Sequence, residues 1–493
     1  MTGGSDFLQL DPAGIPRGRR TDWLADRLRA ATGEALPVGA RLPATRELAA
    51  ELGFARGTVT EAYQRLIEEG LLVTNRGGGT SVAARSAPAA EIDATTAAGA
   101  TGPGRGTGPD SDPDVIDLIS GVPDLSAFPR TAWLRAEQAV LERADSRQLG
   151  YAPAQGVPEL RAELAGWLAR SRGVTTSPDR IVITGGVTGA LSLLYQVLGS
   201  NGGPVVAIED PGAEGNRRIL QHWGCRTVPV PVDADGLDVE ALERTDSDAV
   251  VLTPAHHYPT GVVLSADRRR RLVSWAADRD ALIIEDDYDA EYRYDRAPVR
   301  AMQPLAPERI GYASSLSKTL APALRLGWLA APERLVGPIV ERRWALDLGA
   351  PALPQLVLTE LLRSGALARH LRSMRTRHRG RRDALVAALT ERFPGCRVTG
   401  IAAGIYLVVL FDDDVDDQEF ARRAADHGVQ VQPLSTHRIR PGRPGLVISY
   451  ANQSPQRLRT AVGRLAAAGR RPTTIGRSDS GSQAARLPER RRQ

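Results

Sequence analysis

The chain has 493 residues, 42% of them apolar and 25% charged, the balance of a soluble globular protein with length for about three domains. No apolar run approaches the ~20 residues of a membrane helix, and the N-terminus lacks the apolar core of a signal peptide, so a cytoplasmic protein with no membrane partner is expected. The net charge of +5 does not by itself announce a nucleic-acid partner, and two cysteines, Cys225 and Cys396, give neither a disulfide framework nor a metal-ligand spacing.

The first expected domain, residues 16–83, is short and helical and ends in a hairpin. Trp23, Leu24, Leu28 and Ala31 share one helical face, and Leu48, Ala49 and Leu52 a second, closed by Gly53. Val59, Ala62, Tyr63 and Leu66 follow i, i+3, i+4, i+7 spacing on a third helix, with Thr58 and Glu61 at capping-box spacing near its start. Leu71–Thr74 and Thr80–Ala83 flank a glycine-rich turn, a strand-turn-strand signal. Three helices and a wing describe a winged helix-turn-helix, whose third helix enters the DNA major groove. Residues 1–83 carry ten arginines against ten acids, so a DNA-binding face has to come from placement and not from net charge.

Residues 84–114 are mostly Ala, Gly, Pro, Thr, Ser and Asp, with little to bury, and read as a flexible linker. Residues 469–493 read as a disordered basic tail. Between them, residues 115–468 alternate apolar strand-like runs with helical patterns: Ile181–Ile183, Val205–Ile208, Ala249–Leu252 and Ala281–Ile284. Buried runs of this kind indicate a mainly parallel sheet, whose ligands lie beyond the carboxyl ends of the strands.

The polar motifs fall at those ends. Thr184–Gly189 opens a helix whose free N–H groups can hold a phosphate. Glu285-Asp286-Asp287-Tyr288 supplies carboxylates and a phenol, and Ser314–Lys318 hydroxyls and an amine, with Arg325 seven residues on. Lys318 is the only lysine among 63 basic residues, the rest being arginine. A guanidinium cannot serve as an amine nucleophile, whereas a lysine condenses with aldehydes. An amine, a carboxylate for a ring nitrogen, a phenol and a phosphate cradle are the parts that hold pyridoxal 5′-phosphate. The carboxylate is Asp286, with Glu285 or Asp287 as the alternatives.

Two sets of phrases carry a family resemblance. Gly39–Ala49, Leu52-Gly53, Arg56–Val59, Ala62-Tyr63 and Glu69–Leu71 resemble the GntR family of DNA-binding domains. That family usually has serine or threonine where this chain has Ala44 and Ala55. The resemblance implies DNA contacts by Arg46, Arg56, Thr58 and the wing residue Arg76. Ser120–Leu125, Gly150-Tyr151 with Gly156, Glu209–Gly212, Thr253–Gly261, Glu285–Tyr294 and Ser317–Gly327 resemble fold-type I aminotransferases, and more closely the MocR/GabR-type regulators that join both parts. The fold so implied is an α/β multidomain one, with the winged helix-turn-helix, a large sheet domain and a smaller α+β C-terminal subdomain.

By the same resemblance Lys318 carries the cofactor aldehyde, Asp286 pairs with the ring nitrogen and Tyr288 bonds the ring oxygen. Ser315, Ser317, Arg325 and the loop Gly186-Val187-Thr188 hold the phosphate, and Tyr151 reaches the phosphate of a second subunit in a homodimer. Tyr258, which stands in place of the usual asparagine before Pro-Thr-Gly, also belongs to the cofactor residues. His256 and His257 lack metal-ligand company and read as lining or packing. Ala213 stands where an aromatic often stacks on the ring, and Val447 where aminotransferases hold a substrate carboxylate with arginine. The expectation is a transcription regulator that binds operator DNA and senses pyridoxal phosphate or an amine adduct of it, with vitamin B6 synthesis a candidate target. The alternative is an aminotransferase with an accessory DNA-binding module.

Overall fold

The computed structural model describes residues 10–469 except 11, 13–14, 33–34, 76–78, 84–113, 120, 200–202, 290, 296–298, 395 and 413. The expected linker up to residue 113, the tail after Gly469 and the wing residue Arg76 therefore lie outside the described residues. The chain divides into two compact units, Met1–Arg105 and Gly106–Gln493.

In the first unit α1 (Arg20–Ala31), α2 (Thr45–Leu52) and α3 (Arg56–Glu68) precede the antiparallel pair β1 (Leu72–Asn75) and β2 (Gly79–Val82). Leu24 and Leu28, Leu48 and Leu52, and Val59, Ala62, Tyr63 and Leu66 meet in one core, as helical periodicity puts each set on a single face. Gly53 ends α2 in the left-handed conformation, φ 63°. Arg29 to Glu69 and Arg65 to Asp22, both at 2.6 Å, tie α1 to α3 and its end. The expected capping box at Thr58 and Glu61 does not form. The helix begins two residues earlier, after Ala55, whose carbonyl accepts the Thr58 N–H at 3.0 Å, and Glu61 pairs with Arg65 at 2.8 Å instead. At α2, Glu47 reaches back to the Ala44 N–H at 3.3 Å, half of a capping box without the usual hydroxyl.

The second unit opens with β3 (Ile116–Asp117), α4 (Arg130–Arg143) and α5 (Pro158–Arg172). Its large sheet holds β4 (Ile181–Thr184), β5 (Val205–Asp210), β6 (Arg226–Asp233), β7 (Gly236–Leu237), β8 (Ala249–Leu252), β9 (Leu282–Asp287), β10 (Ile310–Ser315) and β11 (Gly327–Ala330). The spatial order is 4-11-10-9-8-5-6-7, and the five neighbours from β10 to β6 run parallel. Antiparallel β11 separates β4 from this block, so β4 points the same way as the parallel strands. The carboxyl ends of β4, β5, β8, β9 and β10 therefore share one edge. Helices α6 (Val187–Leu198), α7 (Glu214–His222), α8 (Val239–Glu243) and α9 (Ala266–Asp278) follow β4, β5, β7 and β8. Fully buried runs such as Ile181–Thr184 and Leu282–Asp287 are covered on both faces, which is why they read as continuous apolar stretches and not as alternating ones.

Three helices, α10 (Glu333–Asp347), α11 (Ala352–Arg363) and α12 (Ala366–Arg392), lead to the smaller subdomain. There β12 (Arg397–Thr399) and β13 (Tyr406–Leu410) precede α13 (Asp417–Asp426), β14 (Val429–Gln430), β15 (Gln432–Pro433), β16 (Gly445–Ser449) and α14 (Pro455–Gly469). Its four-stranded sheet, 12-13-16-15, is antiparallel, and β14 pairs with β3. Among the described residues no helix is long and apolar enough to cross a membrane.

Candidate functional site

Strand alternation sorts the three consecutive carboxylates at the end of β9. Glu285 accepts the N–H groups of Met302 and Gln303 at 2.9 and 3.0 Å. Asp287 holds the buried Arg172 guanidinium at 2.7 Å and accepts the Tyr312 hydroxyl at 2.6 Å. Both are committed to the scaffold. Asp286 points the other way: one oxygen accepts the Asn216 amide at 3.1 Å, and Oδ1 is buried with no hydrogen-bond partner. Burial pushes its carboxyl up to about 7, against the opposing pull of Asn216 and Lys318. A buried acceptor without a donor is costly unless a ligand supplies one.

Lys318, just past β10, donates to the Gly121 carbonyl. Burial lowers the pKa of its amine, and Asp286 and Asp289 oppose that shift. Gly121 has φ 116°, and a side chain there would sit 3.3 Å from the Lys318 amine, so the backbone approaches the lysine as only glycine allows. At the end of β4, Gly186 adopts φ 91° and opens α6, leaving the first-turn amides of Val187 and Thr188 free of helical partners. A side chain on Gly186 would meet the Arg325 guanidinium at 3.7 Å and the Ser317 hydroxyl at 3.8 Å. The Ser315 hydroxyl accepts the Ser317 N–H at 3.3 Å, and Arg325 donates to the Gly185 carbonyl. The loop, both serines and the arginine thus line one hollow.

Tyr288 donates toward the His256 carbonyl at 3.0 Å and lies 2.9 Å from the Tyr406 hydroxyl of β13. Tyr258 packs edge-on against Tyr288, Tyr406 and His437, with its hydroxyl 3.3 Å from His437 Nε2. His256 and His257 are buried beside carboxylates, Asp289 at 3.0 Å and Glu209 at 3.5 Å, and the described residues hold no cluster suited to a metal ion. Burial pushes His257 down to about 3 and Glu209 up to about 8. Tyr151 is 89% exposed. Val447 is fully buried in β16, opposite Val408 and Gln432. Asn216 and Arg172 went unseen in the sequence reading. The only cue to Asn216 was its place three residues beyond Ala213 at the start of α7, and its partner is 70 residues away.

In the first unit Arg46 lies in the first turn of α2 and Arg56 begins α3, both exposed, with Thr58 half-buried in the first turn of α3. Neither arginine makes an ion pair among the described residues, whereas Arg29 and Arg65 are taken up in holding the helices together.

Comparisons with known proteins match both units. Residues 23–82 match the model of bacterial regulatory proteins of the gntR family, and residues 113–465 that of aminotransferases of class I and II. The pyridoxine biosynthesis transcriptional regulator PdxR of Corynebacterium glutamicum is 32% identical over 87% of this chain and 91% of its own. This chain belongs to the MocR-type regulators. The probable rhizopine catabolism regulator MocR of Rhizobium meliloti is likewise 32% identical, over 91% of this chain and 92% of its own. Among solved structures, the multiple substrate aminotransferase of Thermococcus profundus superposes with a TM-score of 0.68 at 26% identity, covering 73% of this chain and 92% of the other. Kynurenine aminotransferase of Pyrococcus horikoshii, solved with pyridoxamine phosphate, gives 0.67 at 26% identity, covering 72% and 90%. A MocR-type regulator is a DNA-binding transcription regulator whose second part keeps the aminotransferase fold, and the cofactor of that fold is pyridoxal 5′-phosphate. The hollow fits this group: a buried acceptor for a ring N–H, one amine, and amides, hydroxyls and a guanidinium together for a phosphate.

Proposed function

We propose that this regulator binds pyridoxal 5′-phosphate through Lys318 and reports its presence, or that of an amine adduct, to operator DNA in the cytoplasm. The observation that carries the reading is the sole lysine, half-buried beside a carboxylate whose inner oxygen has no donor. When bound, the cofactor supplies an aldehyde that condenses with amines and an electron-withdrawing ring. Lys318 offers the amine, and Asp286 Oδ1 accepts from the ring nitrogen and favours its protonated form. Tyr288 donates to the ring oxygen, with Tyr258 packed behind it. Gly186, Val187 and Thr188 offer amides, Ser315 and Ser317 hydroxyls, and Arg325 charge to the phosphate. The exposed Tyr151 reaches the phosphate held by a second copy, so the working form is a homodimer. Residues 16–83 are the DNA-binding domain and 115–468 the cofactor domain, and control of vitamin B6 synthesis is the regulatory role.

On DNA, Arg46, Arg56, Thr58 and Arg76 make the contacts. Arg56→Ala is expected to weaken operator affinity about tenfold, as loss of one arginine contact does, with the visible absorption of the bound cofactor unchanged. A gel-shift titration beside an absorption spectrum checks both halves.

Turnover is the point on which the aminotransferase reading differs. Transamination needs the α-hydrogen aligned with the cofactor plane, and a guanidinium clamp on the carboxylate gives that alignment. The expected clamp position is Val447, sealed in the small sheet. The test is a paired titration: affinity for a promoter fragment with and without pyridoxal phosphate, and keto-acid formation from a panel of amines and amino acids. A cofactor-dependent affinity with little turnover is the expected outcome. Rapid turnover with cofactor-independent DNA binding would establish the aminotransferase reading instead.

A further inference from the structure

We infer that Tyr406, on β13 of the smaller subdomain, is a positioning residue that donates a hydrogen bond to the Tyr288 hydroxyl and so strengthens Tyr288 as the donor to the cofactor's ring oxygen. This rests on the pyridoxal-phosphate reading of the hollow and adds to it a residue that acts at one remove. The two hydroxyl oxygens are 2.9 Å apart. Each also has a backbone carbonyl within reach, His256 for Tyr288 and His257 for Tyr406, both at 3.0 Å. Two protons thus serve three contacts, and each hydroxyl has one to give. With both protons on carbonyls, the contact between the oxygens holds none. It is a bond only when one hydroxyl turns toward the other.

A ring oxygen that takes the Tyr288 proton decides which one turns. Tyr288 then offers its neighbours only an acceptor, and Tyr406 is the nearest side chain able to fill it. The other candidate, His256 Nδ1, stands farther off at 3.4 Å and is held by both oxygens of Asp289, at 3.0 and 3.1 Å. The Tyr258 hydroxyl is directed elsewhere, to His437 at 3.3 Å and Gln432 at 3.4 Å. Burial pushes both phenols well above their ordinary range, so each keeps its proton and works as a donor. Consecutive hydrogen bonds polarise one another out of water, so a proton given to Tyr288 makes its own O–H the better donor.

A close backbone approach brings Tyr406 to this place. Gly404, two residues before it, has φ 77°, and a side chain there would overlap His256 and Asp289. The Tyr450 hydroxyl lies 2.9 Å from the Ala403 and Gly404 carbonyls and fixes the turn. Tyr288 follows β9 and Tyr406 opens β13, so the hydroxyl pair bridges the large sheet and the small one. The titratable groups that face the pair are Asp289 and His256 beside it, Tyr258 edge-on against both rings, Tyr450 near Tyr406 and, beyond Asp289, Lys318 and Asp286. Removing only the Tyr406 oxygen leaves all of them in place.

The experiment is a double-mutant cycle on the cofactor-loaded full chain: wild type, Tyr288→Phe, Tyr406→Phe and the double variant, each followed by visible absorption against pH. A donor at the ring oxygen favours its anionic form, so the bound chromophore gives up its proton at lower pH. Tyr288→Phe is expected to raise the midpoint of the colour change by about one unit or more, and Tyr406→Phe by about half a unit in the same direction. The double variant should match Tyr288→Phe alone, because Tyr406 acts through that hydroxyl. Cofactor dissociation constants of the same four proteins give a second reading: Tyr406→Phe should weaken binding about threefold, the equivalent of half a unit, and have no effect in the Tyr288→Phe background. Phenylalanine keeps the ring packing on His256 and Tyr258, so the variant should fold. Val408→Ala, buried on the same strand, loosens β13 without removing a hydroxyl and should move neither reading. Unmoved readings in Tyr406→Phe, an effect that persists in the Tyr288→Phe background, or an equal shift in Val408→Ala would each overturn the assignment. Failure of the cofactor reading itself is distinct, because the wild type would then show no visible band to titrate.

Discussion

Lys318→Ala is expected to remove the visible absorption of the cofactor-loaded protein completely. In most proteins a pyridoxal phosphate lysine can be replaced and the aldehyde still finds other side-chain amines. Here every other basic side chain in the count of 63 is a guanidinium, which does not condense with the aldehyde. Only the α-amino group remains, far along the chain and outside the second unit. Borohydride treatment of the wild type followed by peptide mass mapping should place the cofactor on Lys318 alone. An undiminished band in the variant would show that the aldehyde is held elsewhere. The fold should tolerate the change, since the lysine amine makes a single bond to the Gly121 carbonyl.

The second large effect separates two adjacent carboxylates. Asp286→Ala is expected to weaken cofactor binding about ten- to a hundredfold, the scale of one charge-assisted hydrogen bond, and to shift the spectrum toward an unprotonated ring. It should not lower the melting temperature of the cofactor-free protein, because its carboxyl is buried with an unpartnered oxygen and burial raises its pKa. Asp287→Ala should do the reverse. It leaves Arg172 buried and unpaired, a loss of about 3–5 kcal/mol, and it strands the Tyr312 hydroxyl. Thermal melts of both variants, with and without pyridoxal phosphate, check the contrast. A destabilised Asp286→Ala with unchanged cofactor affinity would make that residue part of the scaffold.

That contrast also marks how far the sequence could be read. Val, Ile and Leu runs at Ile181, Val205, Ala249 and Ala281 announced four strands of the large sheet, since burial on both faces leaves its stamp on composition. The helices of the first unit were equally plain, because Leu24, Leu48, Val59 and Leu66 recur at helical spacing. Choosing among Glu285, Asp286 and Asp287 was another matter. Motif resemblance favoured Asp286, but only the partners of its neighbours, Met302 and Arg172 on the face of the strand opposite Asp286, set it apart physically. Those partners are 17 and 115 residues away. Asn216 was hidden for the same reason: what matters about it is what α7 faces, and helical period does not encode that. Thr58 and Glu61 show the converse error, where a correct local spacing was overruled because α3 starts at Arg56 and Arg65 claims the glutamate.

The exclusive use of arginine has a consequence for measurement as well as for chemistry. A free aldehyde in a cell reacts with amines generally, and a lysine-rich protein would soak it up at many unrelated points. This chain offers one half-buried amine side chain and a coat of inert guanidinium groups. Its response therefore has a fixed stoichiometry of about one aldehyde per chain at the side chains. The background that would blur a threshold is absent by composition, and the dose at which the protein changes state is set by a single equilibrium.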